Sequence, residues 1–357
     1  MSHLENVKAI ISDNSAILVT SEVNQRWLTN FAFTDGYVLV TKGKSYLITD
    51  FRYIEAAEAE ADPGFTILMP EGRKMTDEIA LLVKENDVKT VLIEEDTFFV
   101  SGFELIKRVL PDVNVMPGAS AVIDGQRRFK DAGELDKMAR AQVITDAAFE
   151  HILGYITPDK TEIDVALELE FFMRSHGSEG VAFDTIAVSG TASSMPHGLP
   201  RPVKLEKGFL TMDCGAKIDG YCSDMTRTVC IGKADADMKR LYNTVLTAQK
   251  AALEAFYNGE REQKKLDTIA RDIIDNAGYK GCFGHSLGHG VGMYIHEEPR
   301  LSQGVKAGEF LKPGDVVTFE PGIYIAGKYG CRIEDMAAVT ENGTVNFTKS
   351  PKELIEI

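Results

Sequence analysis

Four acidic residues in the C-terminal third fall into two pairs, Asp213 with Asp224 and Glu320 with Glu334. Each pair is spaced to sit on its own β-hairpin. In Asp213-Cys-Gly-Ala-Lys-Ile-Asp-Gly-Tyr-Cys-Ser-Asp224 the turn-forming residues lie between Lys217 and Gly220, nearly midway between the acids. A hairpin there sets the two carboxylates facing each other across the ladder. The stretch from Glu320 to Glu334 repeats the device around Ala326-Gly327-Lys328. Four carboxylates converging on one cleft repel unless they are protonated or neutralised, and two divalent cations cancel four negative charges without raising any pKa. A further ligand is offered by His289, in Gly284-His-Ser-Leu-Gly-His-Gly-Val-Gly292, whose lack of bulk lets backbone and imidazole approach a metal closely. Four carboxylates and one imidazole around two such cations make a hydrolytic site that activates water.

Holding these groups requires more than one core. A chain of 357 residues exceeds the usual single-core size, and the pattern divides near residue 125. In 1–125, β-branched runs at 16–20, 36–40, 45–49, 65–69 and 90–94 alternate with helical patterns at 52–61, 76–85 and 102–110, which predicts an α/β domain. The polar stretch Asp124-Gly-Gln-Arg-Arg-Phe-Lys-Asp-Ala-Gly133 reads as the linker, and a long helix is expected to follow from about Glu134. In 126–357, helices with N-cap and Gly stop signals (Thr161 to Gly177, Ala236 to Gly259, Leu266 to Gly278) mix with antiparallel hairpins, an α+β pattern. Lys207-Gly-Phe-Leu-Thr-Met-Asp213-Cys-Gly215 echoes Pro313-Gly-Asp-Val-Val-Thr-Phe-Glu320-Pro-Gly322: a Gly turn, an apolar strand, an acid, and a Gly two residues on. This predicts two halves that each contribute one hairpin.

A net charge of −15 with no dominant basic face argues against nucleic acid or an anionic membrane as partner. The first residues lack a basic segment followed by an apolar one, and no apolar run reaches about 18 residues; a cytoplasmic protein is expected. The five cysteines form no CxxC pair. Cys214, Cys222 and Cys230 fall at even spacing, which sets alternate strand residues on one face, and they read as small buried hydrophobes in a reducing compartment. The Gly-rich stretch has no GxGxxG or Gly-Lys-Ser/Thr signature of a phosphate loop.

Asp213-Cys-Gly, Cys222-Ser-Asp224-Met-Thr-Arg-Thr, Leu287-Gly-His289-Gly-Val-Gly, Ile295-His296-Glu-Glu-Pro-Arg300, Phe319-Glu320-Pro-Gly-Ile-Tyr and Arg332-Ile-Glu334-Asp together resemble the pita-bread metallopeptidases, in the Xaa-Pro aminopeptidase and prolidase branch. The N-terminal third, with Thr49-Asp-Phe-Arg-Tyr-Ile-Glu, is similar to the creatinase-like domain of that branch. The resemblance implies a creatinase-like domain over 1–125 and a pita-bread catalytic domain with a pseudo-twofold repeat over 126–357. It implies that Asp213 binds one metal, that His289 and Glu320 bind the other, and that Asp224 and Glu334 bridge both. Glu320 would also shuttle the proton of the attacking water to the leaving amine, while His197 and His296 would hold the substrate and the tetrahedral oxyanion. His285, four residues before His289, reads as a supporting or packing group. Arg332, two residues before Glu334, is expected to hold bridging carboxylates or substrate, and Arg300 to recognise a substrate carboxylate with its guanidinium fork. The expected metal is manganese, which suits carboxylate-rich sites, with cobalt, zinc or iron able to use the same ligands. The implied substrates are peptides with proline second, and a homodimer is implied by the resemblance alone. Three rivals share the scaffold: a methionine aminopeptidase with the same five ligands, an inactive pita-bread binding module, and a metal-free creatinase-like amidinohydrolase. The N-terminal domain and His296-Glu-Glu-Pro-Arg300 disfavour the first, and the complete ligand set disfavours the other two.

Overall fold

The computed structural model describes residues 2–357, which divide into two compact units, one ending at Arg127 and one spanning Arg128–Ile357. The first unit runs α1 (His3–Ile10), β1 (Ser15–Val19), α2 (Glu22–Thr29), β2 (Gly36–Thr41), β3 (Ser45–Thr49), α3 (Ile54–Glu60), β4 (Thr66–Leu68), α4 (Met75–Glu85), β5 (Thr90–Ile93), α5 (Val100–Val109), β6 (Asn114–Pro117) and α6 (Ala119–Arg127). Its strands form one mixed sheet in the order β4-β3-β2-β1-β5-β6. Leu18, Leu39, Ile48 and Val91 from the sheet pack with Ile79, Leu82 and Ile106 from α4 and α5. Four elements lie outside the sequence expectation. α1 and α2 have eight residues each, too few to display a helical period, and β6 is largely exposed, so it shows no apolar run. The expected linker is mostly helical: α6 continues to Arg127 and the next helix starts at Ala132. Of its polar residues, Asp124 lies on the exposed side of α6, Arg128 binds Asp315, Lys130 binds Glu297, and Asp131 forms a capping box with Glu134 in which each satisfies the other's backbone N–H.

The second unit begins with α7 (Ala132–Tyr155), α8 (Glu162–Ser175), β7 (Gly180–Val181), β8 (Ile186–Ser189), β9 (Gly208–Cys214), β10 (Ala216–Ile218), β11 (Tyr221–Cys222) and β12 (Met225–Ile231). It continues with α9 (Ala236–Tyr257), α10 (Gln263–Ile274), β13 (Gly288–Gly290), β14 (Glu297–Leu301), β15 (Val316–Phe319), β16 (Gly322–Ile325), β17 (Tyr329–Arg332), β18 (Asp335–Thr340) and β19 (Gly343–Asn346). The two halves repeat one plan. A helix pair is followed by a central strand with antiparallel neighbours on both sides: β9 between β8 and β12, then β15 between β13 and β18. Each half has its own core. Leu210, Met212 and Met225 pack on Ala148, Ile152 and Leu169 of α7 and α8, and Val317, Phe319 and Ala337 pack on Val245, Phe256 and Ala270 of α9 and α10. The period of two along β9 sends Leu210, Met212 and Cys214 toward α7 and α8 and so turns Asp213 to the opposite face. No described helix is long and apolar enough to cross a membrane.

Candidate metal centre

The first hairpin closes through Asp219 and Gly220, at φ 49 and 87. Two successive positive φ values make a two-residue turn of the type that Asp-Gly favours. The resulting register sets Thr226 opposite Asp213 and Cys222 opposite Lys217. Asp224 therefore stops two residues short of the position facing Asp213, and the two acids are diagonal neighbours on one face. A turn centred between the acids would have put β-branched Ile218 at positive φ, a steric penalty that Asp219-Gly220 avoids. In the second hairpin Phe319 pairs with Asp335 and Gly322 with Arg332, and the same register carried through Pro321 sets Glu320 opposite Glu334.

His289 enters from β13, which lies between β14 and β15. A Cβ on Gly288 would stand 1.9 Å from the Thr318 carbonyl oxygen, and one on Gly290 would stand 2.4 Å from that of Glu298. The glycines thus admit the neighbouring strands, and the close approach expected toward a metal is an approach of backbone to backbone. The His289 Nδ1 donates to the Gly290 carbonyl at 3.0 Å, which orients the ring so that Nε2 is aimed at the acids. It lies 3.2 Å from Glu320 Oε1 and 3.6 Å from Asp224 Oδ2. Ligand atoms of Asp224, His289 and Glu334, all three buried, fall within 4.8 Å of one another.

Electrostatics asks for positive charge here. Burial first, then repulsion by neighbouring carboxylates, raises the carboxyls of Asp224 and Glu334 well above the usual range, and Asp213 is also raised, chiefly by burial. Glu320 is the exception: burial would raise it, but the hydrogen bond and charge of His289 prevail and hold it at about 2. Asp213 Oδ1 is buried with no hydrogen-bond partner, the condition of an acceptor that a cation completes. The donor set, its burial and this orphaned oxygen fit divalent metal. Since protons and cations compete for the raised carboxylates, metal binding should release protons and weaken as pH falls. Calorimetric titration with Mn²⁺ in two buffers of different ionisation enthalpy measures this; equal affinity at pH 6 and 8 with no proton release would contradict it.

Around the ligands is a cavity of about 430 Å³ lined by Asp213, Asp224, His289, Glu320 and Glu334, together with His197, His296, Arg300 and Arg332. All nine candidate residues therefore meet in one place. Phe183, Ile186, Leu199 and Ile295 form its apolar wall. His296 crosses the His289 ring at 77° with centroids 4.4 Å apart, and burial, then the charges of His289 and Arg300, push it down to about 4. Arg332 serves Asp213, whose Oδ2 accepts its Nη2 at 2.6 Å, instead of the two acids expected to bridge. Its Nε donates to Thr226 Oγ1 at 2.9 Å and its Nη1 to the Tyr324 hydroxyl at 2.8 Å.

Three supporting residues escaped the sequence reading. Thr226 donates to Glu334 Oε2 at 2.7 Å, Thr318 donates to Glu320 Oε1 at 3.2 Å, and Tyr324 joins Arg332 to His285 Nε2, 3.0 Å away. Thr226 and Thr318 lie two residues from Asp224 and Glu320 on strand backbones, so period-two spacing from each acid was the available signal. The cysteines stay outside the centre: all five are free, and burial pushes the Cys222 and Cys331 thiols up to about 12.

The model of metallopeptidase family M24 matches residues 136–341, and that of the creatinase/prolidase N-terminal domain matches residues 5–129. A Xaa-Pro dipeptidase of Pyrococcus furiosus is 36% identical over 99% of each chain. Among solved structures, a Xaa-Pro dipeptidase from Bacillus anthracis superposes with a TM-score of 0.93 at 40% identity, covering 99% of both chains. An X-Pro aminopeptidase from Thermotoga maritima gives a TM-score of 0.91 at 33% identity, covering 98% of this chain and 99% of its own. With its acids on two hairpins of a duplicated scaffold and His289 entering beside them from β13, the chain belongs to metallopeptidase family M24, a creatinase/prolidase N-terminal domain preceding a pita-bread catalytic unit.

Proposed function

We propose that this metallopeptidase hydrolyses the bond before proline in peptides whose second residue is proline, using two divalent cations, with manganese preferred. The observation that carries the reading is the gathering of Asp213, Asp224, His289, Glu320 and Glu334 around one cavity that His197, His296 and Arg300 also line. The relatives named as Xaa-Pro dipeptidase and X-Pro aminopeptidase support the substrate class. Asp213 would hold one cation, His289 and Glu320 the other, and Asp224 and Glu334 both. The bound cations would lower the pKa of a water and polarise the scissile carbonyl. Glu320, held by Thr318, accepts the proton of the attacking water and delivers it to the leaving nitrogen. His197 and neutral His296 donate N–H groups to the substrate and its developing oxyanion. Arg332 favours the ionised form of Asp213 against the effect of burial and orients its carboxylate. Buried free cysteines suit a reducing cytoplasm, and a homodimer accompanies the family resemblance.

Hydrolysis rates of Ala-Pro, Ala-Pro-Ala, Met-Ala-Ser and Ala-Ala-Ala with Mn²⁺ test the reading: the two proline peptides should be cleaved and the others barely. Preference for Met-Ala-Ser would favour the methionine aminopeptidase alternative. Arg300 faces the cavity from β14, opposite His289 in the ladder. If its guanidinium receives the carboxylate of a dipeptide, Arg300→Ala should slow Ala-Pro hydrolysis by about ten- to a hundredfold, the worth of a charged hydrogen bond. Equal losses on Ala-Pro and Ala-Pro-Ala would assign Arg300 to support of the site.

A further inference from the structure

His197 reaches the catalytic cavity from the segment after β8, a 3₁₀ turn over Gly190–Ser194 followed by irregular chain to Pro200. His285 and His289 are oriented by bonds from Nδ1 to the Ser286 and Gly290 carbonyls, whereas among the described residues no hydrogen bond holds the His197 ring. Its place is therefore set by its backbone. Apolar packing gives that backbone little support: Ala192 joins Ile186 and Val188 in a small cluster, while Met195 and Leu199 are exposed.

Both ends of the segment meet on one carboxylate. Glu162, the first residue of α8 and fully buried, accepts the Ser189 N–H and hydroxyl on Oε1 at 2.7 and 2.8 Å. The same oxygen accepts Arg201 Nη2 at 2.6 Å, and Oε2 accepts the Arg201 backbone N–H at 2.9 Å and its Nε at 2.8 Å. Ser189 ends β8 and Arg201 follows Pro200, so a single side chain closes the loop. Burial would raise the Glu162 carboxyl, but the hydrogen bonds from Arg201 and Ser189 hold it below the usual range. Between the ends, Arg332 Nη1 donates to the carbonyl of Pro196, the residue before His197, at 3.1 Å.

The duplicated scaffold does not itself call for this charge. Gln263 opens α10 as Glu162 opens α8, their N–H groups donate to the Glu309 and Val203 carbonyls, and matching bridges join Glu262 to Phe310 and Thr161 to Lys204. An uncharged amide serves in the second half. A buried ion pair adds little net stability once desolvation is counted, and what the pair supplies in the first half is a fixed loop geometry.

We infer that Glu162 and Arg201 are a positioning pair for the reaction, clamping the ends of the loop so that His197 stands against the developing oxyanion. The inference rests on the role proposed above for His197.

The test is a double-mutant cycle in kcat on Ala-Pro, with the manganese-loaded full chain, Arg201→Met, His197→Ala and the two combined. Arg201→Met, with metal content unchanged, should lower kcat about ten- to a hundredfold, the scale of loss when a group is misplaced by about 1 Å. In the His197→Ala background the same change should cost less than about twofold, because the group it positions is gone. Arg201→Lys keeps a charge opposite Glu162 and loses the fork. It should fall between Arg201→Met and wild type, and it takes the place of Arg201→Met in the cycle if that variant folds poorly. Leu199 rides on the same loop and lines the cavity, so it acts on KM and leaves kcat as the discriminating quantity. Losses that multiply across the cycle, or an Arg201→Met enzyme with wild-type kcat, overturn the positioning role. A His197→Ala enzyme with wild-type kcat overturns the role of His197 itself, and the inference with it.

Discussion

Asp224→Asn is expected to reduce peptide hydrolysis to background. Asp224 is 4% exposed and shares its ligand cluster with His289 and Glu334. Burial and the neighbouring acids oppose its ionisation unless cations are present. A neutral amide cannot be shared by two cations as a carboxylate can, so on the proposed assignment the variant would lose the metal charge that offsets its neighbours. Glu320→Gln separates the two roles proposed for that residue. It is mostly buried beside the cavity just past the end of β15, and its partners Thr318 and His289 remain in place to position the amide. Some metal is retained, but no proton can be carried, and a lost general acid/base costs about 100- to 10,000-fold. Elemental analysis alongside steady-state kinetics checks both variants. A Glu320→Gln enzyme that kept its metal and worked at nearly the wild-type rate would contradict the proton-shuttle role.

The next largest effect belongs to the two histidines that the proposed function leaves off the metal. Both line the catalytic cavity. With His296 held at about 4 by burial and by His289 and Arg300, its ring is neutral at neutral pH and presents a single N–H. A donor aimed at charge that develops only in the tetrahedral state acts on kcat, and its removal costs roughly 2.7 to 4 kcal/mol, about 100- to 1000-fold. His197→Ala and His296→Ala should each show that loss in kcat with a smaller change in KM. A rise in KM with kcat preserved, in both variants, would make them binding residues only.

The parts of the centre legible in sequence were those set by residue type and spacing. Asp213, Asp224, His289, Glu320 and Glu334 stand out because acids and imidazole punctuate otherwise apolar strands, and Gly208 and Gly314 mark the start of the two repeated segments. Spacing alone misplaced the first hairpin by two residues, because the turn went where Asp219-Gly220 could adopt positive φ and not to the midpoint of the acids. The supporting layer was hidden for a different reason. Tyr324 reaches Arg332 and His285 only after β16 has folded back on β17, and Thr226 finds Glu334 across 108 residues of chain. Such pairs leave no local pattern.

The central claim is that metal held by these acids performs the hydrolysis, and the most direct measurement is activity against metal content in one titration. Protein stripped by exhaustive chelation should be inactive. Activity on Ala-Pro should return as Mn²⁺ is restored, reaching a plateau near two ions per chain by elemental analysis. Metal-free protein should also melt lower, since a ligand bound only to the native state stabilises it by about 2.7 kcal/mol at a hundredfold excess over Kd. Undiminished hydrolysis of Ala-Pro by protein confirmed to be free of metal would contradict the account.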